Sequence, residues 1–238
     1  MSTYAKTLTL SENQILAGIP VEEYERLRPI MEDVQLHLGD VIARPDEPIE
    51  YVYFPHRSVF SVIAMMEDGS EVEIGVIGNE GMFGLQIILG TKSTPLQTIV
   101  QIADGATRIK ASLFRDQLDH QGQLYRSLLT YMQAFFIQTA QTAACHRRHR
   151  LDERLARWLL MCHDRCKSDD LVLTHEFLAV MLGVRRAGIS EAASKLQAEG
   201  FIKYSRGHIH IFDRRGLEAV SCECYGVVKR EFDRLLLA

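Results

Sequence analysis

Two adjacent arginines and several small polar side chains begin a helix-like stretch, LGVRRAGISEAASKLQAEGF (182–201). In a DNA major groove, an arginine in the first turn of a helix can contact both O6 and N7 of guanine. Serine and glutamate can hydrogen-bond other base edges. This pattern predicts a base-reading helix, whose outward side chains are Arg185, Arg186, Ser190, Glu191 and Ser194.

Other polar side chains around this stretch predict contacts with the DNA backbone, where charge matters and sequence does not. The predicted phosphate contacts are Thr174, His175, Lys195, Arg206 and His208. Lys203 and a basic cluster at Arg147, Arg148 and Arg150 extend the same set. For any one of these side chains, a solvated surface charge is the alternative interpretation.

The steric pattern from Thr174 to Gly200 predicts a helix-turn-helix. Thr174 is a candidate N-cap, Leu178 faces the core, Ala179 is small enough for a close helix crossing, and Gly183 suits a turn with positive φ. The apolar face of the second helix is Val184, Ile189, Ala192 and Leu196. A helix over 151–165 precedes this unit. A hairpin turning at Arg206–Gly207 and a last helix opened by Asp213 follow, which is the order of a winged helix-turn-helix.

The N-terminal half has the pattern of an all-β domain. Short alternating segments run from Val34 to about Lys110, and Asp68–Gly69 is a hairpin turn signal. The number of strands fits a jelly roll. We expect the first thirty residues, including SENQILAGIP and VEEYERLRPIME, to be helical and to cover the edge of this domain.

From Ala111 the apolar residues recur at helical spacing, which predicts one long helix between the two domains. Its apolar stripe either packs against the chain's own β domain or forms a two-fold seam with a second copy. The seam is the preferred prediction, with the residues Leu124, Leu128, Tyr131, Met132 and Phe135.

Composition and charge agree with two domains that have different partners. Residues 1–144 hold 10 Lys and Arg against 18 Asp and Glu, whereas residues 145–238 hold 17 against 13. No apolar stretch approaches the length of a membrane-spanning helix, so we expect a cytoplasmic protein without a membrane partner. The predicted fold class is α+β, with a jelly roll at 1–112, a long dimerisation helix at 113–146 and a winged helix-turn-helix at 147–238.

The five cysteines, all after residue 144, suggest other chemistry by residue type. Cys162-x-x-x-Cys166 with His163, Cys222-x-Cys224, and Cys145-His146-x-x-His149 all contain metal-ligand side chains. No pair has its partner at zinc-finger spacing, so we predict no metal site and no cofactor. A redox role for Cys145 is an alternative, since neighbouring Arg and His residues can lower the pKa of its thiol.

An enzyme is not expected. There is no nucleophile elbow and no His-x-x-x-His motif, and we assign no catalytic residue. Glu71, Glu73 and Glu80 are expected to face solvent. GNEGMFG (78–84) lacks the following residues of a P-loop or a dinucleotide fingerprint, so turn-forming glycines explain it.

The whole chain resembles the Crp/Fnr superfamily of transcription regulators. The resemblance is sharpest in MEDGSEVEIGVIGNEGMFGL, in RRHRLDERLARWLLMCHDR and in the segment from LTHEFLAVMLGVRR to FDRRGLE. It implies a homodimer whose recognition helices enter successive major grooves about 34 Å apart. It also implies an N-terminal domain that senses a small-molecule effector or contacts RNA polymerase.

The chain departs from the family's motifs at specific positions. Of the family's recognition residues, Arg186 and Ser190 match, whereas Ala187 and Glu191 replace a Glu and an Arg. The Glu and Arg-Ser positions that hold cyclic AMP in relatives align here with Leu85 and with Pro95 and Leu96. A buried phosphate would lack a counter-charge, so we predict that cyclic AMP does not bind there.

The sequence also bears on how the protein could sense a signal. The iron-sulfur mechanism of the family is excluded, because it needs cysteines near the N-terminus and none precedes Cys145. A regulatory ligand in a different pocket, near Tyr131, Phe135 and Gln138 of the long helix, is the alternative to a protein that acts without an effector.

Overall fold

The structure, a computed structural model, describes residues 11–118 and 121–236. Its N-terminal part holds two antiparallel sheets. In spatial order, the first sheet contains β1 (Met31–Gln35), β7 (Gly105–Lys110) and β3 (Tyr51–Pro55). The second contains β2 (Val41–Ala43), β6 (Gln97–Ile102), β4 (Val59–Met65) and β5 (Glu71–Ile77).

Both sheets contribute side chains to one apolar core. Phe54 and Ile109 of the first sheet share this core with Phe60, Ile77 and Val100 of the second. β3 alternates because one face of the first sheet is buried, whereas most of β4 is buried on both faces. The predicted hairpin turn is present between β4 and β5, where Gly69 has φ +81°. These features confirm the predicted α+β class with an N-terminal β sandwich.

The described N-terminal helices are short: α1 (Gln14–Ala17) and α2 (Val21–Leu27), followed by a 3-10 turn, Arg28–Ile30. Asn13 caps α1, since its side chain accepts from the backbone N–H of Ile15 and Leu16. The predicted helical character through Glu32 is wrong from Met31, where β1 begins directly after the 3-10 turn. Residues 1–10, also predicted helical, lie outside the described residues.

The helical region that links the two halves is divided in two. After the short α3 (Leu85–Ile88) in the β domain, the chain forms α4 (Ala111–Leu118) and α5 (Gln123–Arg148). Glu23 of α2 fixes the start of α5, because its carboxylate accepts from the backbone N–H of Gln123 at 2.7 Å and of Leu124 at 2.9 Å. The predicted single helix from Ala111 is therefore interrupted before Gln123.

The C-terminal part is a small helical domain with a three-stranded sheet. Its elements are α6 (Leu151–Cys166), β8 (Asp170–Val172), α7 (His175–Met181), α8 (Arg186–Ala198), β9 (Ile202–Ser205), β10 (His208–Ile211), α9 (Arg214–Val220) and α10 (Glu223–Leu236). The sheet has the order β8-β10-β9. β8 was not predicted, and the predicted last helix is two helices, separated at Ser221–Cys222.

The C-terminal domain packs against the second sheet of the β domain. Val59, Ile63 and Val76 of that sheet share a second core cluster with Trp158 of α6 and Met181 of α7. α10 packs along α5 and reaches the first core cluster through Val228 and Phe232. Among the described helices, none combines the length and apolar character needed to cross a membrane.

Candidate DNA-binding surface

The helix-turn-helix forms as the residue pattern predicts. Thr174 caps α7, since its hydroxyl accepts from the backbone N–H of Phe177 at 3.1 Å. Gly183 has φ +60° in the turn to α8, a conformation that favours glycine. The face of α8 with Ile189, Ala192 and Leu196 is buried. The opposite face of α8 is therefore left for a partner.

The two arginines at the start of α8 are exposed. Arg185 occupies the N-cap position without a side-chain cap, and Arg186 is the first helical residue. Arg186 Nε lies 2.8 Å from Glu176 Oε1, and the two side chains are 67% and 64% exposed. The first turn, RAGI (186–189), has no acidic residue, so the positive end of the helix dipole adds to the arginine charges.

Ser190 is held in place by a residue of α7. Its hydroxyl lies 2.9 Å from His175 Nδ1 and 3.3 Å from the carbonyl oxygen of Arg186. His175 is only 9% exposed and stacks on Tyr204, with 3.9 Å between ring centroids. Burial, and then the charge of Arg186, lower the pKa of His175. His175 is thus placed to orient Ser190, and its burial argues against the predicted phosphate contact.

The remaining polar residues of α8 lie on its exposed side. Glu191 and Ser194 are exposed and lie outside the buried face of α8. Lys195 is exposed as well and forms an ion pair with Asp152 of α6. Any contact between Lys195 and a phosphate must therefore compete with Asp152.

The β9–β10 hairpin forms the predicted wing. Arg206 and Gly207 both have positive φ, +49° and +83°, as a tight two-residue turn requires. Arg206 and His208 are exposed, as is Thr174 at the start of α7. Lys203 is also exposed. These exposed side chains lie outside the apolar core that holds α8.

Four of the five residues predicted at the dimer seam lie on the face of α5 that packs against this chain's own β domain. Leu124, Leu128 and Tyr131 are at most 5% exposed and belong to this chain's own first core cluster. They therefore pack against the chain's own domain, which was the alternative to the predicted seam. These three side chains are not available to a second copy. Phe135 is half-buried and also packs against this cluster, whereas Met132 is half-buried outside it.

Two carboxylates predicted to face solvent are buried where the two domains meet. Glu73 of β5 is 5% exposed and accepts from Ser61 Oγ at 2.6 Å and from Trp158 Nε1 at 2.7 Å. Burial raises the pKa of Glu73 to about 7, although both hydrogen bonds oppose the shift. The alternation of β5 did not predict this, because the sheet is covered on both faces here.

Glu80 is the second buried carboxylate, and it is 7% exposed. Its Oε1 lies 2.8 Å from Nε of Arg165, whose guanidinium also donates to the carbonyl oxygen of Met161. Glu71, by contrast, is half-exposed as expected. The pair of Glu80 and Arg165 therefore links the loop after β5 to the end of α6.

The cysteines are all buried and fall into two groups. Cys162 and Cys166 belong to the second apolar core cluster. Cys145, Cys222 and Cys224 form a separate cluster. A hydrogen bond with Cys222, and to a lesser degree the charge of Arg157, lower the pKa of Cys145 despite its burial. His146 has a pKa lowered to about 4 by burial and by nearby arginines.

This architecture agrees with what comparison with known proteins finds. Residues 153–220 match the model of the Crp-like helix-turn-helix domain. The matched range runs from the start of α6 to the end of α9 and includes α7, α8 and the wing. Residues 153–220 are therefore a Crp-like helix-turn-helix domain, and the predicted resemblance to Crp/Fnr transcription regulators is confirmed.

Individual relatives are distant but cover most of the chain. The transcriptional regulator SdrP of Thermus thermophilus is 23% identical over 200 residues, which are 81% of this chain and 95% of SdrP. The structure of FixK2 from Bradyrhizobium japonicum superposes with a TM-score of 0.68 at 19% identity, covering 81% of this chain and 98% of FixK2. A CRP-family transcriptional regulator of Thermus thermophilus superposes with a TM-score of 0.64 at 18% identity, covering 79% of this chain and 96% of that regulator.

Proposed function

We propose that this protein reads an inverted-repeat operator as a homodimer, with one α8 helix in each major groove. The observation that carries the proposal is the free amino end of α8, where Arg185 and Arg186 are exposed. Glu191 and Ser194, which are also exposed, complete the base-reading set, and Ser190 contributes from a position fixed by His175. An arginine fork at this position suits a guanine.

Backbone contacts come from residues on both sides of α8. Thr174 lies at the start of α7, Lys195 on α8, and Arg206 and His208 at the wing. All four are exposed. They add affinity that depends on salt and not on base sequence.

The exposed face of α5 supports the dimer. Leu129 and Phe136 are 43% and 65% exposed, and Met132 lies between them on the helix. The small residues Ala140 and Ala143 continue this exposed face toward the C-terminal domain. Their spacing matches a two-helix seam that leaves the opposite, buried face of α5 to its own domain.

Sedimentation velocity tests this seam. We expect wild-type protein to sediment as a dimer and Phe136→Glu as a monomer, because two carboxylates would meet at the two-fold axis. Leu89→Glu is the control, since Leu89 is 64% exposed on the β domain. A dimer that survives Phe136→Glu and Leu129→Glu would contradict the seam.

Selection of bound sequences from random duplexes tests DNA reading itself. Purified full-length protein should enrich an inverted repeat whose half-sites are one helical turn apart. The Arg186→Ala variant should enrich the same repeat with one position relaxed. Absence of any enriched sequence, with the protein folded, would contradict the proposal.

We further propose that cyclic AMP is not the effector. In support, Leu85 and Leu96 at two of the family's nucleotide-binding positions pack against the apolar core, where a cyclic phosphate would find no cation. A ligand at one hundred times its Kd stabilises a protein by about 2.7 kcal/mol. We expect millimolar cyclic AMP to leave the thermal unfolding midpoint unchanged.

A sensor role near the long helix is the second candidate, and a cavity favours it. This cavity of about 200 Å³ is lined by residues that include Glu80, Arg165, Tyr225 and Phe232. None of the residues predicted for such a pocket, Tyr131, Phe135 and Gln138, lines this cavity. Tyr131 and Gln138 are fully buried, and Gln138 donates to the carbonyl oxygen of Val76. The volume suits a small ligand. A thermal-shift screen with metabolites tests whether this cavity binds a ligand. A metabolite that stabilises the wild type but not Arg165→Met would locate its site in the cavity.

A further inference from the structure

Four residues that are far apart in the sequence bring metal-ligand atoms together at the end of α5. The sulfur atoms of Cys145, Cys222 and Cys224 and a ring nitrogen of His149 all lie within 4.8 Å of one another. Cys145 and His149 are one helical turn apart at the end of α5, so they share a face. Cys222 and Cys224 lie at the break between α9 and α10. A metal site is not predicted from the sequence, because the spacing along the chain does not show that these pairs meet.

The spacing of these atoms suits one tetrahedral ion. Zinc takes Cys₃His ligand sets, with bonds of about 2.3 Å to sulfur, which place two sulfur ligands about 3.8 Å apart. Cys145 Sγ lies 3.5 Å from Cys222 Sγ, and Cys224 Sγ lies 3.5 Å from His149 Nδ1. Iron-sulfur clusters contain several irons, so their ligands are spread more widely than the ligands of a single ion.

The second nitrogen of His149 is oriented as in known metal sites. His149 Nε2 lies 2.9 Å from Glu223 Oε2, on the side opposite to Nδ1. Metal-binding histidines commonly donate their other N–H to a carboxylate in this way, which fixes the ring and the tautomer. In addition, Gln141 Nε2 donates to Cys224 Sγ at 3.0 Å, a bond that stabilises a thiolate.

Two buried arginines next to the cluster have no carboxylate partner. Arg154 and Arg157 are 9% and 4% exposed, and neither has a carboxylate oxygen within 4 Å in the described part of the chain, although the charge of Arg157 acts on Glu73. Arg154 donates to the carbonyl oxygen of Leu182, and Arg157 Nη2 donates to Thr142 Oγ1 at 2.9 Å. The Nε atoms of both arginines lack a hydrogen-bond partner among the described residues. A buried unpaired charge is costly. Three thiolates, a neutral imidazole and Zn²⁺ carry a net charge of −1, which would offset one of the two positive charges.

The cluster also differs from ordinary buried cysteines. Cys162 and Cys166 are packed among the leucines and isoleucines of the second core cluster. Cys145, Cys222 and Cys224 belong to neither large core cluster and form a small cluster of sulfur atoms alone. Filling an apolar core therefore explains the first two cysteines and not these three.

We propose that Cys145, His149, Cys222 and Cys224 bind one Zn²⁺ in a closed tetrahedral site. The ion holds the end of α5 to the start of α10. The segment between the two ligand pairs, residues 150–221, contains the complete helix-turn-helix and its wing. One ion thus fixes both ends of the DNA-binding domain at a single point.

Metal analysis of the full-length, tag-free protein tests the proposal without any DNA, so its outcome is independent of the proposed function. Protein purified under reducing conditions without chelator should contain one zinc per chain by elemental mass spectrometry. After removal of the zinc, Co²⁺ should bind at one equivalent. It should give the intense visible bands of a tetrahedral ion and a sulfur-to-cobalt charge-transfer band. Added Zn²⁺ should abolish both.

Variants locate the site. Cys224→Ser and Cys222→Ser should lose stoichiometric zinc, and Glu223→Gln should weaken binding by about 10–100-fold. Cys166→Ser makes the same chemical change outside the cluster and should bind normally, and circular dichroism checks that each variant is folded. If a cysteine variant does not fold, the wild-type measurements decide.

Three results would overturn the proposal. The first is wild-type protein that binds neither Zn²⁺ nor Co²⁺ when reduced. The second is a cobalt spectrum without the charge-transfer band, which would place the ion elsewhere. The third is a Cys145–Cys222 disulfide, found by mass spectrometry in metal-free protein as isolated, which would make the cluster a redox pair.

Discussion

Two ion pairs of this protein have the same contact geometry and different surroundings. Arg165 Nε lies 2.8 Å from Glu80 Oε1, and Arg186 Nε lies 2.8 Å from Glu176 Oε1. The first pair is 7% and 9% exposed, between the two domains, whereas the second is 67% and 64% exposed, beside the recognition helix. Burial, and not distance, therefore decides what each pair does. The buried pair commits both charges to the fold, and the exposed pair leaves its arginine available to DNA.

Breaking each pair in the same way tests this difference. Arg165→Met leaves Glu80 buried without its partner, which should lower the free energy of unfolding by about 3–5 kcal/mol. Arg186→Met, the matched control, should lower it by about 1 kcal/mol or less. Urea denaturation followed by fluorescence reports directly on the interface, because Trp158 is the single tryptophan and lies there. Equal midpoints for the two variants would mean that burial of the first pair has no energetic consequence.

The domain interface should also respond to pH through Glu73. The pKa of Glu73 is about 7 in the folded protein, above its ordinary value of 4.5, so the folded state binds the proton more tightly. Its contribution to stability is complete below pH 4.5 and is lost as pH rises through 7. Arg157 and Arg165 are the nearby positive charges that oppose the shift.

Glu73→Gln, which cannot ionise, isolates this effect. Relative to Glu73→Gln, the wild type should lose about 2–3 kcal/mol of unfolding free energy between pH 5 and pH 8, since each pKa unit corresponds to about 1.4 kcal/mol. Denaturation curves at both pH values measure the difference. Parallel pH profiles for the two proteins would show that Glu73 keeps an ordinary pKa.

Local patterns were sufficient to predict most of the elements. Alternating segments such as EVEIGVIG gave strands, and Thr174, Ala179 and Gly183 marked the helix-turn-helix, because capping, close crossing and positive φ are local requirements. The exposed residues of α8 also followed, since a helix with one buried face must present the other.

Long-range packing could not be predicted in the same way. Glu73 alternates as a solvent-facing residue does, but a second domain covers that face. α5 is apolar on two sides, so its periodicity could not show which side packs against its own chain. The break at Ser221–Cys222 has no proline or glycine to mark it. That break brings Cys222 and Cys224 to Cys145, and a residue pattern does not contain this contact.

Arg186, in the exposed ion pair, should affect DNA binding strongly and the free energy of unfolding hardly at all. Arg186→Ala is expected to cost about 1–3 kcal/mol at one operator base pair and to relax discrimination there. Binding to a series of single-base operator variants, at fixed salt, measures this. His208→Ala is the control, because a phosphate contact weakens all duplexes alike. If Arg186→Ala weakened binding to all duplexes equally, Arg186 would also be a contact to the DNA backbone.

The smallest expected effect concerns the partner of Arg186. Glu176 holds the guanidinium in the free protein, so binding to a guanine must first break an exposed ion pair. Glu176→Ala should change the free energy of unfolding by less than about 1 kcal/mol, because the pair is screened by solvent. It should nevertheless strengthen operator binding slightly, since the arginine is freed and a negative charge near the phosphates is removed. When Arg186 is already alanine, Glu176→Ala should raise operator affinity only by removing the negative charge. A double-mutant cycle of operator affinities separates the two contributions, and a coupling of zero would show that the ion pair does not restrain Arg186.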